Sequence, residues 1–218
     1  MKWKLLVAAT LVLIILGLLF FTEEGRKYAI SLGSLTRSFT NTLGNFISSM
    51  VKVSEKGFNL ELNLNKQAVY GQNFSFADTF EAFGRILSLN IDGKTWEIGE
   101  EVKVEILGSG EISVGNDGKV RVKADASMLK LNSWKTSSVE VKMEMLPESF
   151  SVNSTKADLM SMSSVTGNGS KKIEDFELKF DFEKANLKIE KFSGKIEFKE
   201  KLKIIGNATN LEINGKKI

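Results

Sequence analysis

The chain has 218 residues, of which 42% are hydrophobic and 26% charged, with 30 basic and 27 acidic side chains and a formal net charge of +3. This composition excludes general disorder, and the mixed signs of charge do not favour nucleic acid as a partner. The sequence has no histidine and no cysteine, which excludes Ser-His-Asp, Cys-His and His-zinc chemistry, disulfides, and metal sites with sulfur ligands.

Residues 1–22 are predicted to form a transmembrane signal-anchor. Two lysines precede seventeen uncharged, mostly aliphatic residues, a run of roughly 26 Å as a helix, near the lower limit for crossing a bilayer. A cleaved signal peptide is the alternative, but small residues are missing before the exit of the run. The missing cysteine excludes a lipoprotein, and the short leader does not match that of a type IV pilin. The span is represented by Leu5, Val12, Leu18 and Phe21.

The charges around this span predict its orientation. Lys2 and Lys4 precede it, whereas Glu23 and Glu24 follow it, so the C-terminal part is expected outside the cytoplasm, in a single-pass membrane protein. Such a location is compatible with N-glycosylation, which remains a hypothesis. The four Asn-x-Ser/Thr acceptors are Asn73, Asn153, Asn168 and Asn207.

Residues 23–52 are predicted to form an amphipathic helix or stalk. Large apolar residues recur there at intervals of three and four, which is a helical spacing. This seam could pack on the protein's own sheet, join copies of the chain, or lie on a membrane surface. Charges typical of a coiled coil or of a lipid-binding helix do not flank it. The seam consists of Tyr28, Leu32, Leu35, Phe39, Leu43, Phe46 and Met50.

From residue 53 onward the period changes to two, which predicts antiparallel strands with one apolar face. Glycine-containing turns at residues 92–94, 116–119 and 214–216 fit hairpins. A short helix is expected at residues 77–87, because Phe80 and Phe83 lie one helical turn apart. The clearest alternating runs are residues 58–64, 102–106, 120–124, 139–145 and 176–182.

These patterns divide the β region into a first lobe (residues 53–146), a polar loop or linker (147–172) and a second lobe (173–218) continuous with the first. The fold class is therefore mainly β, with the transmembrane and amphipathic helices followed by an antiparallel β-meander. The meander could be a curved sheet, a sandwich or a barrel. Its apolar face could be sealed on itself or could form a groove for a ligand, since both produce the same alternation.

The β region offers no recognisable catalytic constellation. The acidic pairs at residues 100–101 and 174–175 lie among lysines, which indicates solvated strand ends rather than a catalytic dyad. The glycine-rich strings at residues 108–110 and 167–170 lack the Lys-Ser/Thr of a phosphate loop and are predicted to be turns. No enzyme activity, cofactor or metal is therefore expected.

The order of these parts resembles that of AsmA-like and LptC-like envelope proteins, which combine a membrane helix with an antiparallel sheet. The closest local likeness is the strand–Gly–strand–Gly cadence of residues 187–208. The Thr-Gly-Arg motif that follows the anchor in AsmA-like proteins has no counterpart here, and no functional residue can be transferred. The resemblance implies a curved sheet that carries lipid between membranes.

The sequence thus predicts a non-enzymatic, membrane-anchored extracytoplasmic β protein that binds or passes a lipid or other apolar ligand. The alternative is a surface or assembly subunit whose helix at residues 28–50 joins copies of the chain or another envelope protein. The expected partners are a membrane, a lipid, and a second copy or an envelope protein, with no nucleic acid.

Overall fold

Eleven antiparallel strands and one short 3₁₀ turn, Lys66–Val69, make up residues 57–218, the part of the chain that the computed structural model describes. The predicted mainly β fold with an antiparallel sheet is confirmed. The predicted helices at residues 1–22 and 23–52 lie outside the described residues. The strands are β1 (Phe58–Leu64), β2 (Asn73–Phe76), β3 (Thr79–Ile91), β4 (Lys94–Glu97), β5 (Glu101–Val114), β6 (Val120–Leu131), β7 (Trp134–Ile173), β8 (Phe176–Phe198), β9 (Leu202–Ala208), β10 (Asn210–Ile213) and β11 (Lys216–Lys217).

Local sequence explains most of these elements. All five of the clearest alternating runs lie within strands, and the predicted glycine turns at residues 92–94, 116–119 and 214–216 are present. Asp92 and Gly93 have φ of 48° and 84°, and Asn214 and Gly215 have φ of 51° and 75°. Two successive residues with positive φ match the twist of a tight hairpin.

The 40-residue strand β7 connects the whole sheet, because it pairs with β1, β2, β3, β6 and β8. One circuit of pairings runs from β7 through β6, β5 and β3 back to β7. A second circuit runs from β7 through β1, β9 and β8 back to β7. The topology is therefore more interlinked than a simple meander, and the sheet closes on itself twice.

The two circuits enclose one contiguous apolar core. Leu60, Leu62 and Val104, which the alternating pattern assigns to the apolar face, are at most 2% exposed. Four phenylalanines connect the circuits through the interior, with successive ring centroids 6.3, 6.3 and 4.9 Å apart. Such aromatic pairs add about 0.5–1.5 kcal/mol each beyond area burial. In chain order they are Phe76, Phe80, Phe150 and Phe198.

The prediction of a polar loop or linker at residues 147–172 is wrong, because the whole segment belongs to β7. From Phe150 to Val165 its buried residues are spaced alternately by two and three positions, which hides the alternation of a strand. Ser154 and Ser164 have φ of 49° and 55°, and the register with β8 shifts beside both. These β-bulges insert extra residues and bend the strand. The buried positions are Phe150, Val152, Thr155, Ala157, Met160, Met162 and Val165.

Two smaller predictions are also wrong. Residues 79–87 of the expected helix belong to β3, where Phe80 is buried and Phe83 is 39% exposed. An odd spacing puts two side chains on opposite faces of a strand, so their helical spacing was coincidental. The glycine strings expected as turns lie inside β5 and β7, and Gly108 sits at a register shift with β6.

We expect Leu62→Ala to lower the free energy of unfolding by about 3 kcal/mol, because the substitution leaves a cavity at a position with no exposed surface. Leu159→Ala is the matched control, since Leu159 is 53% exposed, and it should cost less than about 0.5 kcal/mol. The measurement is guanidinium unfolding followed by circular dichroism. Equal losses for the two variants would contradict the sealed core.

Candidate functional site

A cleft of about 880 Å³ lies on the polar face of the sheet. Two cross-strand rows of side chains form most of its floor. One row runs Asn73, Ser113, Arg121, Glu144 and Ser88 across β2, β5, β6, β7 and β3. The second row, two residues along each strand, runs Ser75, Glu111, Lys123, Lys142, Asn90 and Thr95.

The lining of this cleft is polar and nearly balanced in charge. Four basic and three acidic side chains line it, together with six neutral polar ones, while the five apolar lining residues are buried. The buried five direct their side chains to the opposite, core-facing side of the sheet. The remaining lining residues are Phe74, Ile112, Val122, Met143, Lys156, Ala157 and Asp158.

Ion pairs organise one end of the cleft. Lys119 Nζ lies 2.8 Å from one carboxylate oxygen of Glu144, and Arg121 Nε lies 2.9 Å from the other. The hydrogen bond from Lys119 is the main reason that the pKa of Glu144 is lowered, and the charge of Arg121 adds to it. The backbone N–H of Lys119 likewise lowers the pKa of Asp117. At this end of the cleft, the negative charges of the carboxylates are therefore balanced by neighbouring basic side chains.

The middle of the cleft holds two lysines in direct opposition. Lys123 and Lys142 are cross-strand partners on the exposed face, where like charges repel. Lys142 pairs with Glu140 at 2.9 Å, and Glu111 is the cross-strand neighbour of Lys123 on the other side. The cleft can donate hydrogen bonds to a polar or anionic ligand, although each lysine already has an acidic neighbour.

A second surface lies on β8, where apolar side chains reach the outside. We define the β8 strip as Phe176, Leu178, Phe180 and Phe182, which share one face of the strand. Phe176 is 64% exposed and Leu178 is 38% exposed, whereas Phe180 and Phe182 pack on the edge of the core. A Cβ at Gly169 would lie 2.7 Å from the Phe180 ring. The missing side chain at this position of β7 therefore leaves room for the ring.

The buried Lys171 lies opposite Leu178, behind the β8 strip. Its Nζ lies 4.1 Å from the centroid of the Phe58 ring and donates a hydrogen bond to the backbone oxygen of Ile218. Burial, with a smaller contribution from the charge of Lys217, lowers the pKa of Lys171. The cation–π contact and the hydrogen bond partly compensate the desolvation of this ammonium.

The structure places each predicted acceptor for glycosylation within a strand. Asn73, Asn168 and Asn207 are exposed and Asn153 is half-buried, while Asn168 accepts a hydrogen bond from Asn63 at 3.0 Å. Asn73 lines the polar cleft, and the other three lie elsewhere. Glycosylation stays a prediction.

The predicted membrane-span and seam residues lie outside the described part of the chain. Within residues 57–218, no helix is both long enough and apolar enough to cross a membrane. The residues outside the described part are Leu5, Val12, Leu18 and Phe21 of the span and Tyr28, Leu32, Leu35, Phe39, Leu43, Phe46 and Met50 of the seam.

Acidic clusters also do not form a site in the described region. No group of three or more acidic side chains there is arranged to hold a metal ion. The pair at residues 174–175 forms the turn between β7 and β8, and Glu100 and Glu101 lie at the start of β5.

Reasoning from the sequence alone missed both surfaces. The cleft depends on which strands are neighbours, and the pairing of β2 with β5 joins residues about 37 positions apart without any local signal. The β8 strip was visible as an alternating run, but alternation does not show that a strand lies at an edge.

No family model, no curated protein and no solved structure matches this chain. The likeness to AsmA-like and LptC-like proteins therefore remains a prediction, and functional arguments depend on the two surfaces themselves.

We expect Glu144→Gln to lower the free energy of unfolding by about 1 kcal/mol at neutral pH, because two partly exposed ion pairs are lost. The folded-state pKa of Glu144 lies below its ordinary value of 4.5. The carboxylate therefore stabilises the fold above pH 4.5, and this contribution is lost as the pH falls through the folded-state pKa.

The difference between the wild type and Glu144→Gln should accordingly shrink in thermal unfolding scans as the pH is lowered below 4.5. Glu148→Gln is the control, since Glu148 is exposed on the same strand and should change stability little at any pH. A pH-independent difference for Glu144→Gln would show that lost packing, not charge, is responsible.

Proposed function

We propose that this protein is a non-enzymatic, membrane-anchored subunit of an extracytoplasmic assembly, with the β domain as its exposed head. The single observation that carries this proposal is the buried apolar core, at whose edge the β8 strip leaves Phe176 and Leu178 exposed. When the apolar face of a sheet packs on itself, the interior is filled. A partner then binds at the outer surfaces and edges rather than in an internal cavity.

Three features of the chain support the proposal. The N-terminal 22 residues have the charge pattern of an uncleaved anchor with the remainder outside. The seam at residues 28–50 provides an apolar helical face suited to joining copies. The missing histidine and cysteine remove the commonest general base and the thiolate nucleophile, which favours a binding role.

An apolar ligand is the second candidate, and the β8 strip favours it. Phe176 and Leu178 are exposed, and Phe180 and Phe182 continue the same face toward the core, with ring centroids 6.0 Å apart. A lipid chain could lie along this row. The neighbouring part of the sheet is already filled, since Leu60 and Leu62 of β1 are buried.

The assembly proposal predicts that the full-length protein is oligomeric in mild detergent. Leu35→Glu combined with Phe46→Glu should convert these oligomers to smaller species, because two charges interrupt the apolar seam. Light scattering coupled to size-exclusion chromatography measures the mass. The control is Ser38→Glu combined with Asn41→Glu, which adds the same charge outside the seam. A protein that is already monomeric would refute the proposal.

The lipid candidate predicts that Phe176→Asp combined with Leu178→Asp removes bound phospholipid from the full-length protein. Native mass spectrometry counts the lipids that remain per chain, and Leu159→Asp is the control at an exposed leucine outside the strip. An unchanged lipid count in the double variant would exclude the β8 strip as the lipid site, since any remaining lipid would belong elsewhere.

A further inference from the structure

Residues 176–184 of β8 form an open edge of the sheet. Within the described part of the chain, β7 is the sole partner of this segment, because β10 pairs with β8 only from Leu187 to Glu190. The positive φ of 49° at Lys184 ends the regular stretch. The edge therefore exposes nine residues without a proline, together with the apolar β8 strip.

The other strand ends of the sheet are much shorter. β4, paired only with β3, has four residues, and β11, paired only with β10, has two. Short edges are a common protection against unwanted pairing, whereas a long edge with an apolar face is a template for another strand. The edge of β8 has nine residues and an apolar face, so it is long enough to accept a partner strand.

The turn that precedes β8 shows which backbone groups face outward. A two-residue turn at residues 174–175 makes Ile173 and Phe176 a hydrogen-bonded pair. Alternation then directs the backbone groups of Leu178, Phe180 and Phe182 toward β7. The backbone N–H and C=O groups of Glu177, Lys179, Asp181 and Glu183 consequently point to the open edge.

One antiparallel register of this edge pairs opposite charges at its centre, residues 177–179. When Leu178 of one copy lies opposite Leu178 of another, Glu177 faces Lys179 twice and Phe176 faces Phe180 twice. Opposite charges and aromatic pairs both favour antiparallel strands. The same register covers Phe176 and Leu178, the two most exposed residues of the strip.

We propose that two copies of this chain associate through antiparallel pairing of β8 edges, centred on Leu178. This inference deepens the proposed assembly function and depends on it. It adds a second contact, made by the β domain, to the one predicted for the helical seam. The occupant is a second copy because the edge matches itself in backbone direction and, over residues 176–180, in charge and aromatic pairing.

The chain has no cysteine, so a single introduced cysteine reports the register directly. Leu178→Cys places the two thiols in a non-hydrogen-bonded pair, where the Cα atoms lie about 4.5 Å apart, within the range for a disulfide. We expect mild oxidation of the full-length protein to give a disulfide-linked dimer as the main species on a non-reducing gel.

Phe182→Cys is the matched control, since residue 182 would face residue 174 and should cross-link at least tenfold less. Adding Lys179→Pro to Leu178→Cys should reduce cross-linking at least fivefold, because proline removes an outward N–H without breaking the pairing with β7. Lys179→Ala in the same background should leave it unchanged. Equal cross-linking at positions 178 and 182, or none at 178, would overturn the proposal.

A second measurement leaves Leu178 intact, in case the cysteine variant is destabilised. Glu177→Lys alone should lower the dimer fraction, since two lysine pairs would then repel, and Glu177→Lys combined with Lys179→Glu should restore it. If neither variant changes the mass while Leu35→Glu with Phe46→Glu does, the edge pairing fails and the assembly function stands. A monomeric wild-type chain would refute both.

Discussion

The structure depends on the continuous pairing of β7, whose 40 residues would extend roughly 130 Å if straight. A domain of this size has a radius of gyration of only about 15 Å, so the strand must bend. Bulges at Ser154 and Ser164 provide two of these bends. Because β7 is shared by both circuits of pairings, its path determines where each circuit closes and how the two cores merge.

Both candidate surfaces follow from this bending. Where the sheet curves toward its polar face, the rows containing Arg121 and Lys123 become the floor of a cleft. Where the second circuit closes through β1 and β9, the first half of β8 is left beyond the closure with one free edge. The polar cleft and the apolar edge therefore both lie beside β7, the strand that the two circuits share.

The sequence predicted the fold where strands are regular and failed where they are bulged. Leu60, Leu62 and Leu64 alternate strictly, so the period of two was unmistakable. Between Val152 and Val165 the inserted residues repeatedly change which positions face the core. The buried Thr155 also reduces the difference in polarity between buried and exposed positions. The sites were beyond local patterns altogether, because the cleft requires knowledge of strand neighbours. The β8 strip likewise requires knowledge that, among the described residues, β7 is the only strand paired with residues 176–184.

The two surfaces differ in the interaction energy that they can provide. The cleft's Glu144 already has two cationic partners and Lys142 has Glu140, and exchanging such exposed pairs for new ones gains little, since each contributes under about 1 kcal/mol. Covering Phe176 and Leu178 removes apolar surface from water at about 25 cal/mol per Å², and a two-fold contact does so twice. Backbone hydrogen bonds along the β8 edge would also fix the direction and register of the partner strand. The β8 edge is therefore the surface on which association is energetically favoured, and the polar cleft is better suited to selecting a ligand than to holding an assembly together.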